Sequence, residues 1–261
     1  MENYIEIIDK FINKMEYRNN KHYLGVYFYG SRLTGFNNIN SDIDLHIIFD
    51  NDDIEHIYRG ITFINGIKIE YFEKNINDLY LSLENDIRER NWAWYSIIGT
   101  SKIIEDTKGQ LHQLQEHSLK LYKQEPQKMD EQDIIENIAI INNRIEKLRI
   151  LCINEDPSFY SLYYITVEKL RRFYHGINGF SKINTSKIYR VYKDDEYRKI
   201  YFPNEFVSEE FKSMYFSLIE GINKDKKELL KLIEEFYLYI RNGREIPKEE
   251  YKIKIKSRNI K

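Results

Sequence analysis

Apolar positions along this chain follow two periods, and the change from one to the other divides it. Ile5, Ile8, Ile12 and Met15 recur at three- and four-residue steps, which predicts an amphipathic helix at the start. The aromatic and β-branched run Tyr23–Tyr29 predicts a buried strand, and residues 42–49 predict a second. Two alternating runs between residues 60 and 72 flank Asn65-Gly66, a dipeptide whose members both accept the positive φ of a tight hairpin turn. Helical spacing returns over residues 75–90, resumes after a break at 92–98, and recurs at 109–123, with a short strand predicted at 102–105. Residues 124–130 are polar and aperiodic and carry one of four prolines, so the domain boundary is placed there, giving domains 1–125 and 126–261. Beyond it, helices are predicted over 131–153, 158–176, 208–222 and 225–242, with Gly176, Gly179 and Gly243 as stops. The basic, alternating tail from Tyr251 reads as a frayed end. The pattern as a whole is α+β: a small mixed sheet flanked by helices, then a helical bundle.

Composition narrows the classes. With 261 residues and 42% hydrophobic positions the chain can build two cores, and its scarcity of Pro and Gly excludes global disorder. A net charge of −2 argues against a protein that grips nucleic acid mainly through phosphates, and favours a small-molecule acceptor. Cys152 is the only cysteine, which excludes an intrachain disulfide and a thiolate metal cluster; it reads as a small core residue. The charged first helix lacks the apolar run of a signal peptide and no segment is apolar enough to span a bilayer, so a cytoplasmic protein is expected.

The chemistry concentrates in VYFYGSRLTGFNNINSDIDLHIIF, residues 26–49. Strand alternation puts Asp42 and Asp44 on one face and Ile43 and Leu45 on the other. At a rise of about 3.3 Å per residue the two Cα atoms stand about 6.7 Å apart, a spacing from which carboxylates converge on a pair of divalent ions. With no Lys or Arg in their own strand the pair repels, and a cation relieves that repulsion. Magnesium suits hard oxygen ligands with coordination left over for water and phosphate. Gly30 and Ser31 end the preceding strand in a turn that offers backbone N–H groups and a hydroxyl to an anion. Arg32 adds charge, and Ser41 positions the Asp42 strand. A third carboxylate is expected at Glu70, mid-strand in the hairpin, whereas Glu73 lies one face over. His46 continues the aspartate face and reads as structural.

Tyr29, Gly30, Ser31, Asp42, Ile43, Asp44 and Glu70 resemble the motif of the DNA polymerase β-like nucleotidyltransferase superfamily. The resemblance implies an N-terminal nucleotidyltransferase domain that moves an NMP from an NTP, ATP being expected, to a hydroxyl. It implies Asp42, Asp44 and Glu70 as catalytic metal ligands for Mg2+, two ions in all, with Gly30, Ser31, Arg32 and Ser41 binding nucleotide. In layout the chain is similar to bacterial nucleotidyltransferases acting on aminoglycoside or lincosamide antibiotics, which add a C-terminal helical domain. That likeness implies an acceptor-binding domain at 126–261 and a base for which Glu136 and Glu168 are candidates. Among the basic residues Lys147, Arg149, Lys169, Arg171, Arg172 and Lys187 of that domain, Lys187 is chosen as a phosphate contact. An aminoglycoside acceptor would call for an acidic wall, to which Asp52, Asp53, Glu84 and Asp86 are the candidates. The alternative is a macromolecular acceptor, as in a tRNA- or protein-modifying toxin, or synthesis of a nucleotide signal in defence. Monomer and homodimer remain open.

Overall fold

The computed structural model describes residues 4–50, 58–89, 91, 93–122, 128–202 and 207–244. The chain divides into two compact units, Met1–Pro126 with Lys193–Pro203, and Gln127–Tyr192 with Asn204–Lys261. The return of Lys193–Pro203 to the first unit has no counterpart in the sequence pattern, where a single cut separates the domains.

In the first unit, β1 (Tyr23–Tyr29), β2 (Ile43–Phe49), β3 (Arg59–Ile64), β4 (Ile67–Asn75) and β5 (Lys102–Asp106) form a mixed sheet in the order β3-β4-β2-β1-β5. β2 runs parallel to β4, and every other neighbouring pair is antiparallel. Asn65 and Gly66 close the β3–β4 hairpin with φ of 52° and 80°, the left-handed pair that makes the connection tight. Helix α1 (Tyr4–Lys14) covers one sheet face, packing Ile7, Ile8, Phe11 and Ile12 against Val26, Phe28, Ile43, Leu45, Ile47 and Ile69. Ile5 is exposed rather than part of this seam, because the stripe centres on the contiguous 7, 8, 11, 12 set, which is wider than the predicted one. A single turn, α2 (Ser31–Thr34), follows β1. The opposite sheet face is covered by α3 (Ile76–Glu89), α4 (Ala93–Thr100) and α5 (Gln110–Tyr122), whose Leu79, Leu83, Tyr95, Ile98, Leu111 and Leu114 pack on Leu24, Tyr27 and Ile48.

The second unit contains α6 (Glu131–Ile153), α7 (Ser158–Asn178) and α8 (Thr185–Lys193). After α9 (Asp195–Tyr201), which lies in the first unit, it is completed by α10 (Glu209–Ile219) and α11 (Lys226–Arg241). Asp130, Ser208 and Asp225 cap α6, α10 and α11 by accepting backbone N–H bonds, and Asp225 with Glu228 forms a capping box. Phe159, Tyr163, Leu170, Phe211, Ile233 and Phe236 are among its fully buried side chains, and the Tyr174 and Phe211 rings stack at 3.8 Å. Cys152 is buried on α6, in keeping with a packing role. The sequence pattern assigned no helix to α8 or α9: α9 is shorter than two turns, whereas α8 carries Ile188, Val191 and Tyr192 at helical spacing, a signal that went unread. The basic tail lies outside the described residues.

Candidate active site

At the end of β1 the chain turns at Gly30, with φ 88° and ψ −168°, a region that only glycine enters without strain. A Cβ there would stand 2.2 Å from Oδ2 of Asp44, so the carboxylate rests directly against the Gly30 backbone. The glycine of the Gly-Ser turn is therefore required by the acid opposite it as well as by the turn. Pairing across the sheet explains the neighbours of Asp44: it lies opposite Tyr29 of β1 and Glu70 of β4, and Glu70 lies opposite Ile61 of β3. Ile61, Glu70, Asp44 and Tyr29 thus form one row across four strands, on the face that α3–α5 cover farther along. Asp42 sits one residue before β2. Asp42, Asp44 and Glu70 each bring a carboxylate oxygen to within 4.8 Å of the others. Glu73 belongs to the α1 face, where Tyr17 donates to it at 2.6 Å.

Two cations of the hairpin already meet these acids. Lys68 Nζ is 2.8 Å from Asp42 Oδ2 and 3.9 Å from Glu70 Oε2, and Arg59 Nε donates to Glu70 Oε1 at 2.8 Å. The expectation of an acid pair without a basic neighbour holds for β2 alone; the parallel partner strand and its hairpin mate supply the charge. Burial opposes ionisation of Asp42, but the hydrogen bond from Lys68, a backbone hydrogen bond and the ammonium charge outweigh it and lower its pKa. The Tyr29 phenol is pushed the other way, first by burial and then by the charges of Asp44, Glu70 and Asp42, which marks its place beside the cluster. Three partly exposed carboxylates, oxygen donors only and already drawing cations, form a donor set that fits a hard divalent ion.

The turn behind the acids is held by more than its own sequence. Arg32 Nε donates to the Ser41 carbonyl at 2.6 Å and its Nη1 donates to the Tyr4 hydroxyl at 3.1 Å, so Arg32 clips the intervening loop. Ser41 Oγ accepts from the Asn38 backbone at 2.9 Å, which fixes the approach to Asp42. From α9, the Tyr201 hydroxyl bonds Thr34 Oγ1 at 2.7 Å, and Tyr197 packs edge-on to Phe36 at 5.2 Å. Arg32, Asn38, Asn40, Ser41 and Lys68 line a cavity of about 580 Å3 at this end of the sheet. One step along the same face, His46 is 2% exposed and packs against Tyr29 at 4.5 Å, Trp94 at 5.4 Å and Phe72 at 5.6 Å. Burial, then the Lys74 charge, depresses its pKa to about 3, so the ring is neutral and structural.

Other expected residues fall elsewhere. Lys187 is exposed on α8 in the second unit. Glu136 is partly buried on α6. Glu168 accepts from Arg171 at 2.6 and 2.9 Å, from Arg172 at 2.9 Å and from Thr185 at 3.2 Å. Burial works against its ionisation, yet the bonds and charge of Arg171, then of Arg172, hold its pKa below the usual value, which makes it a poor base and corrects that expectation. Asp86 is not a wall residue either: it is 4% exposed and accepts from the Trp94 backbone at 2.7 Å, capping α4 from across the break. Glu84 is exposed on α3, and Asp52 and Asp53 lie outside the described residues. Sequence reasoning missed Lys68, Arg59, Tyr197 and Tyr201. The alternation of IKIEYF places Lys68 on the face of Glu70 and was the one available signal.

A glycine turn beside three convergent carboxylates is the equipment of metal-assisted phosphoryl-group chemistry. The chain belongs to the nucleotidyltransferase domain family, whose model matches residues 8–151, more than half its length. It is accordingly an enzyme of nucleotidyl transfer, for which an NTP is the donor and a divalent metal the cofactor. No curated protein matches the sequence. Among solved structures it is similar to a nucleotidyltransferase-like protein from Exiguobacterium sibiricum 255-15, at 13% identity and a TM-score of 0.49 over 92% of this chain and 75% of that one. Among the described residues, no helix is long and apolar enough to cross a membrane.

Proposed function

We propose that the protein is a magnesium-dependent enzyme that moves an NMP from an NTP, ATP first, to a hydroxyl of a small molecule in the cytoplasm. The observation that carries this reading is the convergence of Asp42, Asp44 and Glu70 within 4.8 Å beside the Gly30–Ser31 turn. The three carboxylates would hold the metal, which when bound neutralises phosphate charge and lowers the pKa of the acceptor hydroxyl. Gly30 leaves room for the Asp44 carboxylate, and the Ser31 hydroxyl donates to a phosphate oxygen. Arg32 and Ser41 keep the loop in register behind them. The acceptor hydroxyl gives its proton to solvent, and its oxygen forms a bond to the α-phosphorus as the bond to the pyrophosphate leaving group breaks.

The acceptor side is read from β3. Beyond Glu70 on the same face, Ile61 is 56% and Phe63 61% exposed, a pair of apolar side chains at the edge of a catalytic surface. They favour an acceptor with an apolar face, as in a lincosamide-like antibiotic, over a polycationic aminoglycoside. A second reading, an anionic macromolecular acceptor such as an RNA end, draws on the Arg32–Lys68 cavity, which no acid among the described residues lines. The test incubates the protein with Mg2+, each labelled NTP and a panel of lincomycin, kanamycin, tRNA and protein. Label on lincomycin, lost in Asp42→Asn with Asp44→Asn, supports the proposal. Label on tRNA or protein replaces the acceptor, and transfer that survives both substitutions removes the site.

A further inference from the structure

We propose that Lys68 is a two-position cation: it stands in for the metal among the acids when none is bound, and serves the phosphate oxygens of the substrate once the metal has displaced it. The inference rests on the metal-site reading of Asp42, Asp44 and Glu70. Its ammonium bonds Asp42 at 2.8 Å and approaches Glu70 at 3.9 Å, so it reaches two of the three carboxylates that converge on the metal position. A divalent ion and this ammonium compete for the same oxygens. The other side of the residue faces a place to go, because Lys68 also lines the cavity with Arg32, Asn38, Asn40 and Ser41.

Charge decides which cation leaves. A divalent ion brings twice the charge of an ammonium to the same carboxylate oxygens, so it displaces the more loosely held of the two cations. Arg59 holds Glu70 through a planar fork, whereas Lys68 is a point charge on a flexible stem and the easier of the two to displace. The released ammonium then stands at a cavity whose other cation, among the described residues, is Arg32, a pairing that suits phosphate oxygens. Lys68 stays protonated throughout; only its partner changes.

Opposite effects on two ligands distinguish this role from an ordinary surface ion pair. In the 261-residue chain, Mn2+ binding without nucleotide is followed through the EPR signal of the free ion, in wild type, Lys68→Gln and Lys68→Met. Both variants are expected to bind Mn2+ about fivefold more tightly, the scale of an exposed ion pair removed from the competition. Binding of the non-hydrolysable analogue AMPCPP at saturating Mn2+, measured by calorimetry, is expected to weaken about tenfold for loss of a charge-assisted contact. Unchanged or weaker Mn2+ binding overturns the proposal, as does unchanged AMPCPP binding. If Asp44→Asn leaves wild-type Mn2+ binding intact, the metal-site reading itself fails. If neither wild type nor the Lys68 variants bind Mn2+, both fall together.

Discussion

In the first unit, Lys68 and Arg59 pair with Asp42 and Glu70 beside Asp44; in the second, Glu168 alone takes Arg171, Arg172 and the Thr185 hydroxyl. Among the described residues the first cluster brings three acids to two cations and is partly open to solvent. The second has more cations than acids, and Arg171 is 0% exposed. Surplus carboxylate oxygen at an accessible surface is capacity for a further cation. A carboxylate saturated by guanidinium groups has no capacity left, either for a metal or for a proton taken from a substrate. Acidic and basic residues at helical spacing, such as Glu168 with Arg171 and Arg172, read in a sequence like a site and fold into a fastening.

The contrast can be broken most severely at the open cluster. Asp44→Asn should lower turnover about a thousandfold while the circular dichroism and melting temperature stay near wild type, because the side chain is used by substrate-bound chemistry and little by packing. At the closed cluster the balance reverses. Glu168→Ala strands the buried Arg171 and should cost about 3–5 kcal/mol in urea unfolding, with Mn2+ binding unchanged. A loss of Mn2+ binding without a loss of stability would exchange the roles assigned to the two clusters. Gly30→Ala should come next: the added methyl meets Asp44 at 2.2 Å and the φ of 88° strains any side chain, so Mn2+ affinity should drop about tenfold with a modest fall in stability.

Asp86 extends the comparison to a buried acid whose capping bonds come from backbone N–H groups rather than from a cation. Burial raises its pKa to about 7, against which the backbone N–H bonds of Trp94 and Tyr95 work only in part. The folded pKa therefore lies above the unfolded one. The stability it contributes is fully present below pH about 4 and is lost as pH rises through about 7, at no more than about 1.4 kcal/mol per unit. Asp86→Asn keeps an acceptor for the cap and removes the charge, so urea unfolding at pH 5 and pH 8 should show a smaller decline in the variant. An identical decline in both proteins would mean that Asp86 is already ionised in the fold at pH 5, its pKa not raised by burial.

Much of this was legible from residue order. The alternation of β2, the Asn65-Gly66 turn and the face shared by Asp42 and Asp44 follow from local rules, and so does the separation of Glu70 from Glu73. What stayed hidden depended on register and on distant returns of the chain. Nothing in IKIEYF says that β4 runs parallel to β2, which is what sets Lys68 beside Asp42 and Glu70 opposite Asp44. Asp86 looked like a surface acid because its partner amide lies across a helix break, eight residues on. Glu168 looked available because helical spacing brings its basic neighbours near without saying that one of them is buried.

The bond between Thr34 and Tyr201 joins residues 167 positions apart. A ribosome that has released everything through β5 has made every acid of the cluster, yet the strut behind the Gly-Ser bend does not exist until seven helical residues far downstream have emerged. The first unit is thus complete only once residue 201 has been made, and a fragment ending at residue 126 would carry the three acids without the brace behind their turn.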